Sequence, residues 1–228
     1  MEIIFYISAK DCTIRFDDGT IIEHVRYEHI KNKQIRNPNC PNVYGIGYVG
    51  IGCYKTKFEG KDTKIYTRWH GMFKRCYASN TGESYKDCFV DERWHNFQNF
   101  AKWYEDNFKL HMRGWQLDKD ILLKRNKIYS PTTCCFVPQI INSIFIKNNN
   151  RRGDLPIGVG KHQRKMIATV YKYGKKNYLG TFDTIEEAFQ SYKVAKESYI
   201  VEVAEEWKHF LESKVYQTLI NYEVEITD

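Results

Sequence analysis

The sequence predicts a mixed α+β protein with a small N-terminal β domain (residues 1–60), a central domain of short strands and helices (61–147), and a C-terminal three-stranded antiparallel sheet packed on a helix (148–228). Three observations predict this fold class. Apolar and polar residues alternate near the start, aromatic residues recur at helical spacing in the middle, and three strand-like segments precede a strong helix start near the end. With 42% hydrophobic and 28% charged residues, the composition is typical of a globular chain.

The N-terminal domain is predicted to be a small barrel or sheet. Residues 13–16 alternate in polarity, residues 17–20 (Asp-Asp-Gly-Thr) carry a hairpin turn signal, and residues 21–27 resume the extended pattern.

Three glycines in the following apolar run, Gly45, Gly47 and Gly50, match the GxGxxG spacing of nucleotide-binding loops. That motif requires a preceding long strand and a helix that opens at its end. Since neither pattern is present, we attribute the glycines to bends and close backbone packing.

The central domain is predicted to begin with two helices. Trp69, Met72, Phe73 and Cys76 have the spacing i, i+3, i+4 and i+7, and a second helix is predicted over about residues 91–108. Both apolar faces are interpreted as core.

The remainder of the central domain is predicted as strand, loop, strand and helix. A short strand or extended segment spans 115–123, a basic loop spans 124–127, and a second extended segment spans 129–138. A short helix follows over 139–145, and the polar run 147–154 marks a domain boundary.

The C-terminal domain has the clearest pattern. Strand-like segments at 157–161, 166–173 and 177–182 are separated by basic turns. A helix then starts with Thr184 as its N-cap and Glu187 completing a capping box, and it is predicted to extend to a break near residue 213.

Positive charge is concentrated in the same region. The chain has a formal net charge of +7, and residues 147–176 contain nine Lys or Arg and one acidic residue. Because the helix covers one side of the sheet and is itself acidic, we expect the cations on the bare side and its turns, facing double-stranded DNA. The predicted DNA-contacting residues are Arg151, Arg152, Lys161, Arg164, Lys165, Lys172, Lys175 and Lys176.

The seven cysteines form no CxxC pair and no zinc-type spacing, which favours a reduced, cytoplasmic protein. The apolar start, residues 1–7, is too short to span a membrane, so no membrane partner is expected.

The C-terminal segments 156–159, 167–170, 178–182 and 185–195 resemble the plant ethylene-response-factor (Apetala-type) DNA-binding domain, which also occurs in phage and homing nucleases. The resemblance covers about 50 residues and implies that the sheet reads the DNA major groove. Met166 stands where that family usually has a DNA-contacting tryptophan, which leaves the base preference open.

The central domain resembles the HNH endonucleases that carry such a reader domain. The resemblance rests on the tryptophan and aromatic spacing from residue 69 to 100 and on the segments 117–120, 126–131 and 134–137. It implies a ββα metal centre in which Asp118 and Asn142 hold Mg²⁺ or Mn²⁺ for phosphodiester hydrolysis. A phage-encoded protein of this kind would work in the host cytoplasm.

Two positions depart from that family. Lys119 takes the place of the general-base histidine and Thr133 that of the middle asparagine. A lysine with an ordinary pKa is protonated at neutral pH, so Lys119 either has an altered environment or serves as a phosphate clamp while Tyr77 or His70 acts as base.

The sequence therefore favours a sequence-preferring, metal-dependent HNH-type DNA endonuclease in which Asp118, Lys119 and Asn142 are the catalytic residues. We expect the N-terminal β domain to contribute DNA backbone contacts or contacts with a protein partner. Two alternatives stay open. One is a non-catalytic DNA-binding or regulatory protein that retains the nuclease scaffold, and the other is a protein-interaction module that acts on a host DNA enzyme.

Overall fold

A computed structural model describes residues 1–146 and 155–227 of the chain and confirms the mixed α+β class. The chain divides into two compact units. Unit 1 comprises Met1–Asn107 and Lys127–Pro131, and unit 2 comprises Phe108–Asn126 and the described part of Thr132–Asp228. The predicted boundary at 60/61 lies inside unit 1, and the predicted linker 147–154 lies outside the described residues.

Unit 1 begins with an antiparallel sheet of order β1-β2-β3, as its alternating pattern predicts. Its first strand is exposed at every position, and Phe5 retains 64% of its accessible surface. A protein partner for this domain stays a prediction. The elements are β1 (Glu2–Ser8), β2 (Asp11–Arg15), β3 (Ile21–Val25) and a short helix α1 (Tyr27–Lys31).

The core of unit 1 is aromatic. The indole N–H of Trp69 donates to the backbone carbonyl of Trp94 at 2.7 Å, and the ring of Trp69 contacts those of Phe73 and Phe97. The predicted helix over 91–108 starts only at residue 97, because residues 92–94 form a separate 3₁₀ turn. The elements are β4 (Lys57–Phe58), β5 (Lys61–Asp62), α2 (Lys64–Tyr77), β6 (Phe89–Val90), α3 (Phe97–Asn107) and β8 (Ile128–Tyr129), which pairs in parallel with β6.

The glycine-rich run of unit 1 packs closely against these helices. A Cβ atom added to Gly47 would lie 3.0 Å from the rings of Trp69 and Phe73. One added to Gly50, where φ is +73°, would lie 2.2 Å from the side-chain oxygen of Asn96. Close backbone approach is therefore what requires glycine at these two positions.

Unit 2 begins with a ββα arrangement. Strand β7 (Gln116–Asp118) pairs antiparallel with β9 (Cys135–Val137), and the predicted helix follows as α4 (Gln139–Ile144). The first strand is shorter than the predicted segment 115–123, because the carboxylate of Asp118 accepts hydrogen bonds from the N–H groups of residues 120 and 121 and turns the chain.

The C-terminal sheet and helix agree with the prediction. The sheet has the order β10-β11-β12 and is antiparallel throughout, with strands β10 (Val159–His162), β11 (Lys165–Lys172) and β12 (Lys175–Phe182). Helix α5 (Ile185–Trp207) starts at the predicted capping box of Thr184 and Glu187, and α6 (Ser213–Ile220) follows the break.

No helix within the described ranges is long and apolar enough to cross a membrane. None of the seven cysteines, which all lie within the described ranges, forms a disulfide.

Candidate functional site

The two faces of the C-terminal sheet differ in burial. Val159, Ala168 and Val170 are buried on the side that α5 covers. Because residues paired across antiparallel strands lie on the same face, the strand register also identifies the residues of the opposite, exposed face. The residues of this exposed face are His162, Lys165, Ile167, Thr169, Tyr171, Lys176, Tyr178 and Thr181.

Four cations of this domain are exposed and form no ion pair with any described residue: Lys161, Arg164, Lys175 and Lys176. They lie at opposite ends of β11. The first two are at the β10–β11 turn, and the last two open β12. The sheet thus carries unneutralised positive charge at both ends.

Two other predicted DNA contacts are ion-paired inside the domain. The ammonium of Lys165 contacts the carboxylate of Asp183. That of Lys172 lies 3.2 Å from Glu202 and 5.6 Å from the ring centre of Tyr199, both on α5. Lys172 therefore lies on the covered side, not on the bare side expected from the charge pattern.

Arg151 and Arg152, the remaining predicted contacts, lie outside the described residues.

Asp118 ends strand β7 as a half-buried carboxylate. Its Oδ1 accepts the N–H groups of Asp120 at 2.7 Å and Ile121 at 2.8 Å, whereas Oδ2 accepts no hydrogen bond from the described residues. Burial raises the pKa of this carboxyl group, against the lowering effect of the two N–H donors. Across the strand pair, burial and the Asp118 charge raise the pKa of the Cys135 thiol.

Lys119 is buried, with 5% of its surface exposed. Its ammonium donates to both carboxylate oxygens of Asp120, at 2.7 and 2.8 Å, and to the backbone carbonyl of Asn126 at 2.8 Å. The amide of Asn126 donates back to the carbonyl of Lys119 at 2.7 Å. These bonds use the three N–H donors of the ammonium, which has no lone pair with which to accept a proton from water.

Asp120 follows Asp118 by two residues in the sequence. It lies beyond the end of β7, so strand alternation does not apply to it, and its side chain instead closes the loop through Lys119.

Asn142 is half-buried on α4, which packs beside β7. Its N–H donates to the carbonyl of Pro138 at 3.1 Å, as the first turn of the helix requires. Lys196 of α5 caps the end of this helix by donating to the carbonyl of Ile144 at 2.8 Å, and desolvation lowers the pKa of its ammonium to about 8.

The alternative bases proposed from the sequence belong to unit 1. The hydroxyl of Tyr77 accepts the N–H of Val90 at 2.9 Å, and burial raises its pKa. The imidazole of His70 contacts the rings of Tyr44 and Tyr66. Among residues 1–146 and 155–227, no group of three or more His, Cys, Asp or Glu is placed to hold a metal ion.

The uncharged residues of the exposed sheet face were not predicted from the sequence to be functional. Tyr171 and Tyr178 are 59% and 63% exposed at its centre. A signal for them was present, since Ala168 and Val170 occupy alternate positions and leave Ile167, Thr169 and Tyr171 on the other side.

Comparisons with protein-family models, with curated proteins and with solved structures found no match to this chain.

Proposed function

We propose that this chain binds double-stranded DNA through the exposed face of its C-terminal sheet. The observation that carries the proposal is the charge asymmetry of this domain: four cations without an ion pair among the described residues lie at the two ends of the sheet, one face of the sheet is open, and an acidic helix covers the other face. A sheet of this size fits the major groove, and the cations contact phosphates on either side of it.

The acidic side of the domain orients the protein on DNA. Helix α5 carries five exposed glutamates, and phosphate repels this side. The exposed glutamates are Glu186, Glu187, Glu202, Glu205 and Glu206. By register Lys176 lies on the open face, whereas Lys161 and Lys175 lie at the ends of the face that α5 covers. Since the glutamates of α5 are all on the covered side, the open face is the one that approaches the duplex.

Salt dependence tests this function. Four phosphate contacts give a slope of about −3.6 in log affinity against log salt, at about −0.9 per contact. Fluorescence anisotropy with a labelled 20-base-pair duplex measures that slope. The double variant Lys175→Gln/Lys176→Gln should bind more weakly and reduce the slope by about 2.

Lys102→Gln is the matched control, because Lys102 is an exposed lysine of unit 1 that is paired with Asp106. It should leave both affinity and slope unchanged. Equal binding by the double variant and the native protein would refute the proposed surface.

A second candidate function, metal-dependent hydrolysis of the bound DNA, is favoured by one observation at Asp118. This carboxylate ends a strand of a ββα arrangement, has one oxygen fixed by backbone N–H groups, and keeps the other free of hydrogen bonds from the described chain. Such a fixed oxygen donor suits a divalent cation.

Asp118 and Asn142 lie on β7 and α4, which pack side by side, and together they would form a sparse ligand set for Mg²⁺ or Mn²⁺. Asp118 and Asn142 would supply two oxygen donors, and water and phosphate oxygens would supply the others, as is usual for Mg²⁺. The ion would neutralise charge that develops on the phosphate. Lys119 acts by fixing the loop that carries Asp118, and this candidate leaves the general base unassigned among the described residues.

Plasmid cleavage separates the two functions. Supercoiled plasmid is incubated with the protein and Mg²⁺ or Mn²⁺, beside Asp118→Ala and Asn142→Ala, with Asp106→Ala as a surface control. Hydrolysis predicts nicked or linear DNA with the native and control proteins and intact plasmid with the two others. An intact plasmid with every protein would remove the nuclease candidate and leave DNA binding in place.

A further inference from the structure

The centre of the exposed sheet face is uncharged. Between its flanking cations the face presents an isoleucine, two threonines and two tyrosines, namely Ile167, Thr169, Tyr171, Tyr178 and Thr181. No arginine, asparagine or glutamine of β10–β12 lies on this face in the described register. The residues that face a bound base at the centre are therefore methyl-bearing or aromatic.

This composition is unsuited to reading guanine or adenine. Guanine is recognised by bidentate Arg or Lys, and adenine by bidentate Asn or Gln. The hydroxyls of Tyr178 and Thr181 hydrogen-bond to each other, which uses part of their polar capacity. Methyl groups and aromatic rings remain, and these are the groups that contact the C5-methyl of thymine in the major groove.

When the cations at the two ends of the sheet contact phosphates, the length of β11 places the methyl-bearing and aromatic side chains over base edges. Strand β11 has eight residues, which spans roughly 23 Å at about 3.3 Å per residue. The major groove is about 12 Å wide, so a strand of this length reaches across it. Ile167 and Thr169 lie at the middle of β11, between the end that carries Arg164 and the end near Lys176.

We propose that this face selects its DNA sites by the C5-methyl groups of pyrimidines, chiefly thymine, through Ile167 and Thr169. The proposal rests on the DNA-binding function proposed above and adds the class of sequence that is bound. Sites selected in this way are richer in A·T pairs. The selection requires no hydrogen bond to a base.

Four defined duplexes test the proposal. Anisotropy is measured with alternating d(AT), with d(AU), which lacks only the methyl group, with d(GC), and with a d(GC) duplex that carries 5-methylcytosine. Each buried methyl contributes about fourfold in affinity. We expect d(AT) to bind at least fourfold more tightly than d(AU), and the methylated d(GC) duplex to bind more tightly than the unmethylated one.

The variant Thr169→Ser assigns the effect to this face. It removes one methyl, keeps the hydroxyl, and should reduce the d(AT)/d(AU) ratio while the salt slope stays that of the native protein. Thr218→Ser on α6 removes a methyl elsewhere in unit 2 and should change neither quantity.

The failures of the two proposals are distinguishable. Equal affinity for d(AT) and d(AU), with the expected salt slope, would overturn methyl reading and leave DNA binding intact. Weak binding to all four duplexes with no salt slope would overturn both.

Discussion

The ammonium of Lys119 and the carboxylate of Asp120 are adjacent in sequence and bonded in space, with the lysine buried and the aspartate side chain 48% exposed. Together with Asn126 they close the loop that follows β7. The loop in turn fixes Asp118, whose Oδ1 accepts the N–H of Asp120.

We expect Lys119→Met to lower the free energy of unfolding by about 2–3 kcal/mol, because it leaves the carbonyl of Asn126 and the carboxylate of Asp120 without this donor. Urea denaturation measures the loss. The control Lys102→Met breaks an exposed pair and should cost less than about 0.5 kcal/mol. Similar losses in both variants would contradict the structural role of Lys119.

We expect Asp118→Asn to stabilise the protein at pH 7, because an amide accepts the same two N–H groups without a buried charge. Burial raises the folded pKa above the usual 3.8, so the folded state loses stability as pH rises through that window. The difference in the free energy of unfolding between Asp118→Asn and the native protein should therefore decrease as pH falls towards 3.8. Denaturant midpoints from pH 3 to pH 7 test this, and a destabilised variant at neutral pH would refute it.

The pH dependence of stability that arises from Lys196 is opposite to that from Asp118. Its pKa is about 8 in the folded protein against 10.5 normally, so the unfolded state binds more protons between these values and stability rises with pH there. Lys196→Met removes a burial penalty of a few kcal/mol at most, at about 1.4 kcal/mol per pKa unit, and this gain outweighs the lost hydrogen bond to the carbonyl of Ile144. Its stability advantage over the native protein should be largest at pH 7 and should narrow between pH 8 and pH 10.5.

Lys193→Met is the matched control on the same helix. Its ammonium pairs with Glu197 at 2.8 Å, and that carboxylate raises its pKa. This variant should show no advantage at pH 7. A pH-independent difference between Lys196→Met and the native protein would mean that Lys196 is not desolvated.

Gly50→Ala should destabilise the protein more than Gly60→Ala. Both glycines have positive φ, +73° and +77°, so alanine costs about 1–2 kcal/mol at either from the backbone alone. At Gly50 the new Cβ also meets the side chain of Asn96, which is held by its hydrogen bond from the N–H of Gln98, whereas the space at Gly60 is open. Thermal unfolding of both variants measures the difference, and equal shifts would contradict the close approach.

Local sequence signals predicted those helices and strands whose limits are set by residues adjacent in the sequence. The capping box of Thr184 and Glu187 fixes the start of α5, and the basic segments between strands fall at the turns of the C-terminal sheet. The helix expected over 91–108 was wrong at its start, because Asp91 caps a 3₁₀ turn that buries Trp94 before α3 begins.

The alternation of side chains along the C-terminal strands follows from the amino-acid sequence, since the two-residue period of a strand is a property of the backbone. Which of the two alternate sets of side chains is exposed depends on the packing of α5, which covers the side of Ala168 and Val170 and forms an ion pair there with Lys172. The role of Lys119 also depends on the tertiary structure, because its residue type alone suggested a cation that could contact phosphate. Its burial against Asp120 and Asn126 depends on a chain reversal that no local pattern encodes.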